Sequence, residues 1–387
     1  MINRTTLLKR LRNIAEPSSQ AHALASKMEG VISLYGGEPE FDTPKHIIDA
    51  AKKALDEGYT HYGPPSGYLE LREAISDYYK RYDVEVDPRS VFVTPGSTSA
   101  LHITMTGIFG PGDEIIVPDP EYQAYVSRIQ FCGGSPIFVP RDEKNEWRIE
   151  PKNIEKAITS RTKAIIICNP DNPTGAIMSK DDIEKLADIV KKHDLIVISD
   201  DIYDQIIYDE SKFYSIAALP GLKERTFIIN GFSKIYSMTG WRLGYVIAPD
   251  SIAPDLRNYA DGIFFRVNAV VQQAGIAALR GPQEHIKEML REHKRKRDLV
   301  VDTYNSIDGV SCVKPRGSLY AFPNISSFGL TSLKFEEFMV KEARVLLRAG
   351  VRFGPTGEGH MRSSFAQSME DLKEALARFE IAIKKLK

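Results

Sequence analysis

A chain of 387 residues that is 42% hydrophobic and 27% charged has the balance of a globular protein and is long enough for two domains. Its 51 basic and 52 acidic side chains leave a net charge of -1, which removes the overall attraction that nucleic acid or an anionic membrane surface would require. Cys132, Cys168 and Cys312 stand far apart without a CxxC pair, and the eight histidines form no HExxH; neither a disulfide framework nor a metal site is indicated, and a reducing cytoplasm fits.

Residues 1–12 mix basic and apolar side chains without the continuous apolar core of a signal peptide, so they predict a first helix. No apolar run approaches the roughly 18 residues of a membrane span. From 90 to 248, short β-branched runs at 90–94, 114–117, 135–139, 163–168, 195–199, 226–229 and 244–247 alternate with helix-patterned segments. The continuous run Ala164-Ile165-Ile166-Ile167 suits a central strand buried on both faces, and the intervening helices imply a mainly parallel α/β sheet. Polar loops follow these strands, and in open α/β sheets such loops converge on one crevice outside the carboxyl ends. Beyond 250 come a highly charged helical stretch at 283–305, shorter elements at 318–323 and 344–348, and a terminal helix at 368–385. Together with the N-terminal helix they predict a smaller α+β domain that closes over the crevice.

The chemistry centres on Gly231-Phe232-Ser233-Lys234-Ile235-Tyr236-Ser237-Met238-Thr239-Gly240-Trp241-Arg242. An amine able to form an imine, a hydroxyl and a guanidinium suited to a phosphate are what an enzyme needs to hold pyridoxal phosphate as a Schiff base. Gly96-Ser97-Thr98 precedes a helical pattern and reads either as an ordinary helix cap or as an anion site. Asp200 ends an apolar strand, where a carboxylate needs a cation such as a protonated pyridine nitrogen; Asp201 reads as a helix cap for the next segment. Asn172, in Asn169-Pro170-Asp171-Asn172-Pro173-Thr174-Gly175, belongs to a turn whose amide, like the Tyr203 hydroxyl, is able to donate to a ring oxygen. Arg362 is a surface ion-pair partner or a two-pronged grip for a substrate carboxylate.

With these residues assembled, the chain resembles the class I pyridoxal-phosphate aminotransferases, in particular the aspartate and aromatic enzymes of bacteria and archaea. The resemblance runs through Gly36-Gly37-Glu38-Pro39, Tyr62-Gly63-Pro64-Pro65-Ser66-Gly67, Asn172-Pro173-Thr174-Gly175, Asp200 with Tyr203, Ser233-Lys234, Met238-Thr239-Gly240-Trp241-Arg242 and Arg362. It implies a three-layer, mainly parallel sheet of the aspartate aminotransferase type, a large cofactor-binding domain at 45–285, and a small domain from 1–44 and 286–387. It also implies that Lys234 carries pyridoxal 5'-phosphate, Asp200 pairs with its ring nitrogen, Asn172 and Tyr203 meet its ring oxygen, and Tyr122 stacks on the ring. By the same resemblance Ser97, Thr98, Ser233 and Arg242 hold the phosphate, Gly37 and Arg362 receive the substrate α-carboxylate, Tyr62 reaches in from a neighbouring subunit of a homodimer, and Asn172–Pro173 is a cis bond.

The reaction so implied is transamination between an L-amino acid, aspartate first or an aromatic or broad range of donors, and a 2-oxo acid such as 2-oxoglutarate. Related aspartate enzymes commonly carry a lysine where Thr98 stands, which weakens an aspartate-specific reading. Phe264-Phe265-Arg266 stands where relatives have small polar residues. Arg266 is therefore a candidate for binding a distal carboxylate across the subunit boundary, or for an ion pair between subunits. Carbon–sulfur lyases and a non-catalytic regulatory module are the competing readings on the same scaffold.

Overall fold

A computed structural model describes residues 20–386; the helix expected at 1–12 lies outside them. In chain order the strands are β1 (Ile32–Ser33), β2 (Val91–Thr94), β3 (Glu114–Asp119), β4 (Ser135–Pro140), β5 (Thr162–Cys168), β6 (Ile196–Asp200), β7 (Thr226–Gly231), β8 (Gly244–Ile247), β9 (Tyr320–Ala321), β10 (Val345–Leu346), β11 (Arg348–Ala349) and β12 (Met361–Ser364). Seven of them form one sheet in the order β2-β8-β7-β6-β5-β3-β4. Every pairing is parallel except those of β8, which runs against both β2 and β7. This is the mainly parallel α/β architecture expected.

The isoleucine run of β5 shows why the sheet is central. Ala164, Ile166 and Cys168 belong to one hydrophobic cluster, while Ile165 and Ile167 belong to another. Alternation along a strand sends neighbours to opposite faces, so both faces must be covered. The helix Ser97–Ile108 covers one face with Ala100, Leu101, Ile103 and Met105. On the other, the helix Lys180–Lys192 contributes Ile183, Leu186, Ala187 and Val190, and its start is fixed by a capping box between Ser179 and Asp182. Three layers result.

The later segment forms smaller sheets. β1 pairs with β10 in parallel, and β11-β12-β9 form an antiparallel sheet. The stretch expected at 344–348 is thus two short strands that serve different sheets. The charged segment near 283–305 is the helix Glu284–Ser306, in which Lys296 and Arg297 are fully buried; Arg297 meets Asp209 and Asp298, and Lys296 meets Glu40. Among the described residues no helix is long and apolar enough to cross a membrane.

Candidate active site

The large-sheet strands run further toward their carboxyl ends than their apolar cores suggest, and that extension builds the site. β6 continues to Asp200, which lies in register with Cys168 of β5, while β7 continues to Gly231 and delivers Ser233 and Lys234 in the following loop. A cleft of about 270 Å³ is lined by Gly37, Ser97, Thr98, Tyr122, Asn172, Asp200, Tyr203, Ser233, Lys234, Arg242 and Arg362. Eleven positions chosen from the sequence therefore meet in one place. A wider cleft of about 460 Å³, bordered by Arg148, Lys180 and Lys212, contains none of them.

One end of this cleft is an anion cradle. Gly96 caps the helix Ser97–Ile108 with φ at +87°, and a Cβ built there would lie 2.4 Å from Nη2 of Arg242. The guanidinium consequently rests on the glycine beside the first residues of the helix, where backbone N–H groups and the helix dipole favour negative charge. Arg242 is exposed, and its Nη1 donates to the Thr239 carbonyl at 2.7 Å.

At the buried end, burial raises the Asp200 carboxyl from its ordinary 3.8 to about 6, against the opposing effects of the Tyr125 hydroxyl, the Ile202 N–H and the Lys234 charge. The Tyr125 hydroxyl donates to Oδ2 at 2.7 Å and the Ile202 N–H to Oδ1 at 3.3 Å. A buried carboxyl in that condition is relieved by a cationic partner. Tyr125 itself was not read from the sequence; its only signal there was proximity to Tyr122.

The Lys234 amine donates to the Gly37 carbonyl at 2.8 Å, tying the loop after β7 to the segment that follows β1. Asn172 Oδ1 accepts from Nη1 of Arg362 at 3.0 Å, and Arg362 Nη2 donates to the Tyr35 carbonyl. The Tyr203 and Tyr320 hydroxyls are 3.1 Å apart. Burial, followed by the neighbouring phenol Tyr320, pushes Tyr203 up. Burial also opposes ionisation of Tyr320, yet Arg362 and Lys234 carry its net shift below the ordinary phenol value. Either hydroxyl is able to donate in this pair. Tyr320, Arg348 and Tyr35 line the cleft without having been singled out in the sequence.

Two expectations change. The cis bonds are Asp119–Pro120 and Asn169–Pro170, so Asn172–Pro173 is trans; the reversal comes directly at the end of β5, where Asn169 Oδ1 accepts from the Met178 N–H. Asp201 caps no helix: it is buried, accepts from Ser199 Oγ at 2.6 Å, and the chain continues in turns. Tyr62 and Arg266 lie outside the cleft and border a different cavity. Tyr62 is 80% exposed and meets Phe265 edge-on, while Arg266 pairs with Asp261 and donates to the Gly63 carbonyl at 3.1 Å.

The donor set fits pyridoxal phosphate: a cradle for a phosphate, a buried carboxyl that needs a cation, hydroxyl and amide groups between them, and an amine within the same cleft. Residues 29–379 match the family described as aminotransferase class I and II. The chain is 43% identical to an aspartate aminotransferase of Pyrococcus abyssi and 41% identical to aromatic-amino-acid aminotransferase 2 of Thermococcus litoralis, each over 94% of both chains. A crystal structure of an aromatic aminotransferase from Pyrococcus horikoshii superposes with a TM-score of 0.90 at 42% identity, covering 94% of this chain and 99% of that one. A mainly parallel sheet with a lysine and an aspartate at its carboxyl edge has thus led to a known family: this chain belongs to the class I and II aminotransferases and is an enzyme of pyridoxal 5'-phosphate-dependent transamination.

Proposed function

We propose that the chain transfers the amino group of an L-amino acid, aspartate foremost and aromatic donors within its range, to a 2-oxo acid such as 2-oxoglutarate. The observation that carries this reading is the meeting of Lys234, Asp200 and Arg362 in one cleft. When bound, pyridoxal phosphate supplies an aldehyde for the donor's nitrogen and an electron-poor ring for electrons leaving Cα. Lys234 would carry the cofactor, and its amine would take and return the proton at the donor's Cα. Asp200 holds the ring nitrogen protonated. Asn172 and Tyr203 would meet the ring oxygen, and Tyr122 would pack on the ring.

Ser97, Thr98, Ser233 and Arg242 would hold the phosphate, while Gly37 and Arg362 would bind and orient the α-carboxylate of the substrate. Tyr62 and Arg266, which lie outside the cleft of their own chain, serve the site of the second subunit in a homodimer. Segments 1–44 and 286–387 form the small domain that closes over 45–285, and the enzyme works in the cytoplasm. Purified protein assayed with a panel of donors and 2-oxoglutarate should show ping-pong kinetics, release no ammonia, and lose turnover in Lys234→Ala. Near-native turnover in that variant, or ammonia release without an acceptor, would overturn the reading.

A further inference from the structure

The sequence suggested one arginine within the chain's own cleft for the substrate, yet a second shares its position in the backbone. Arg348 of β11 stands directly opposite Arg362 of β12 in an antiparallel pair. Residues opposed in this way leave the sheet on the same face, and both of these line the cleft. Both are buried, at 8% and 3% exposure. Their guanidinium carbons approach one ring, Phe353, at 5.5 and 4.9 Å from its centroid. Arg348 also lies 4.6 Å from the Tyr35 ring centroid, and Arg362 lies 4.2 Å from that of Tyr320.

We infer that Arg348 binds the distal carboxylate of a dicarboxylic amino or 2-oxo acid whose α-carboxylate is held by Arg362, an assignment that rests on the transaminase reading above. Like charges opposed across a strand pair repel, and two guanidiniums on one wall of the cleft suit a ligand that carries two anionic groups. The mutual effect is present already: burial first, and the Arg348 charge among the further causes, lower Arg362 from its ordinary value. Arg348 acts at the Arg362 side of the cleft, since its charge is also felt by Tyr122 and Tyr320. It is therefore placed for the substrate, whereas Arg242 faces the phosphate cradle at Gly96.

Each planar guanidinium matches one carboxylate through two parallel hydrogen bonds. A monocarboxylic donor would satisfy Arg362 and gain little from Arg348. A four- or five-carbon dicarboxylic substrate engages both, and Arg348 thereby supplies from within the chain the selectivity that Arg266 would have to supply from a second subunit.

The test is a ratio. The kcat/KM for aspartate and glutamate divided by that for alanine and phenylalanine should be measured for the cofactor-loaded wild type, Arg348→Met, Arg348→Lys and Arg266→Ala. The ratio should fall roughly 10- to 100-fold in Arg348→Met, less in Arg348→Lys, which keeps the charge without the planar fork. Succinate should raise the Tm of the wild type more than propionate does, and this difference should disappear in Arg348→Met. Should Arg348→Met fail to fold, Arg348→Lys and the succinate shift carry the same comparison. An unchanged ratio in the Arg348 variants overturns the inference, even if all rates fall together, as does a ratio lost only in Arg266→Ala. A wild type that shows the succinate shift but transaminates no donor overturns the transaminase reading instead.

Discussion

The Tyr125 hydroxyl donates a 2.7 Å hydrogen bond to Oδ2 of Asp200, linking the helix Ala124–Phe131 to the carboxyl end of β6. Both residues are buried, so this phenol is one of few groups that favour the ionised carboxylate. Tyr125→Phe should weaken that preference and, since a hydrogen bond to a charged group contributes about 1.5–3 kcal/mol, reduce kcat roughly 10- to 100-fold. Steady-state kinetics check the expectation, and unchanged kcat would exclude a role for Tyr125 in holding Asp200 ionised.

Asp200 also makes stability depend on pH in protein stripped of cofactor. Its carboxyl titrates at about 6 in the fold, chiefly because of burial, against 3.8 ordinarily. The folded chain therefore holds the proton more tightly than the unfolded chain: this contribution is fully present below about pH 4 and is lost as pH rises through about 6. The shift corresponds to at most about 3 kcal/mol. Urea unfolding at pH 4 and pH 7 should show the wild type losing stability relative to Asp200→Asn; parallel curves would contradict the shift.

A Cβ on Gly37 would lie 1.8 Å from the Tyr320 hydroxyl, which is closer than any side-chain contact permits. Gly37→Ala should therefore displace the phenol from Tyr203 and lower kcat/KM on the order of 100-fold, with the far-UV CD spectrum retained. Tyr320→Phe removes the nearest colliding atom and leaves the ring carbon Cζ at 2.5 Å. Gly37→Ala should consequently cost less in that background, a non-additivity that a double-mutant cycle measures. Strict additivity would place the effect elsewhere.

The cradle is tested at Gly96. Its positive φ and the 2.4 Å approach of Arg242 Nη2 leave no place for a methyl group. Gly96→Ala should displace the guanidinium and weaken cofactor binding roughly 10- to 100-fold, as Arg242→Met should on its own. Because both act through one contact, the double variant should lose little more than either single one. Spectroscopic titration with pyridoxal phosphate gives the affinities.

Much of the sheet and most of the cleft could be read from the sequence because both depend on local pattern. β-branched runs mark strands buried on both faces, and the polar residue where such a run ends falls at the carboxyl edge; Asp200 and Lys234 were found in this way. Tyr125, Tyr320 and Arg348 were not, because their arrival depends on which helix face turns inward and which strands pair. The Arg348 and Arg362 register cannot be inferred from either strand alone. The cis bond was assigned to the wrong Asn-Pro step because two such steps lie in one turn-rich loop, and local sequence does not say where the chain reverses. Asp201 looked like a cap because capping and burial among hydroxyls draw on the same residue type.

Asp200 ends β6 and Lys234 follows β7 in the seven-stranded sheet, whereas Arg348 and Arg362 ride on the separate three-stranded sheet. On the roles proposed above, reaction and choice of substrate are carried by different pieces of backbone. Exchange of side chains on the smaller sheet would then alter which substrates enter without touching Lys234 or Asp200.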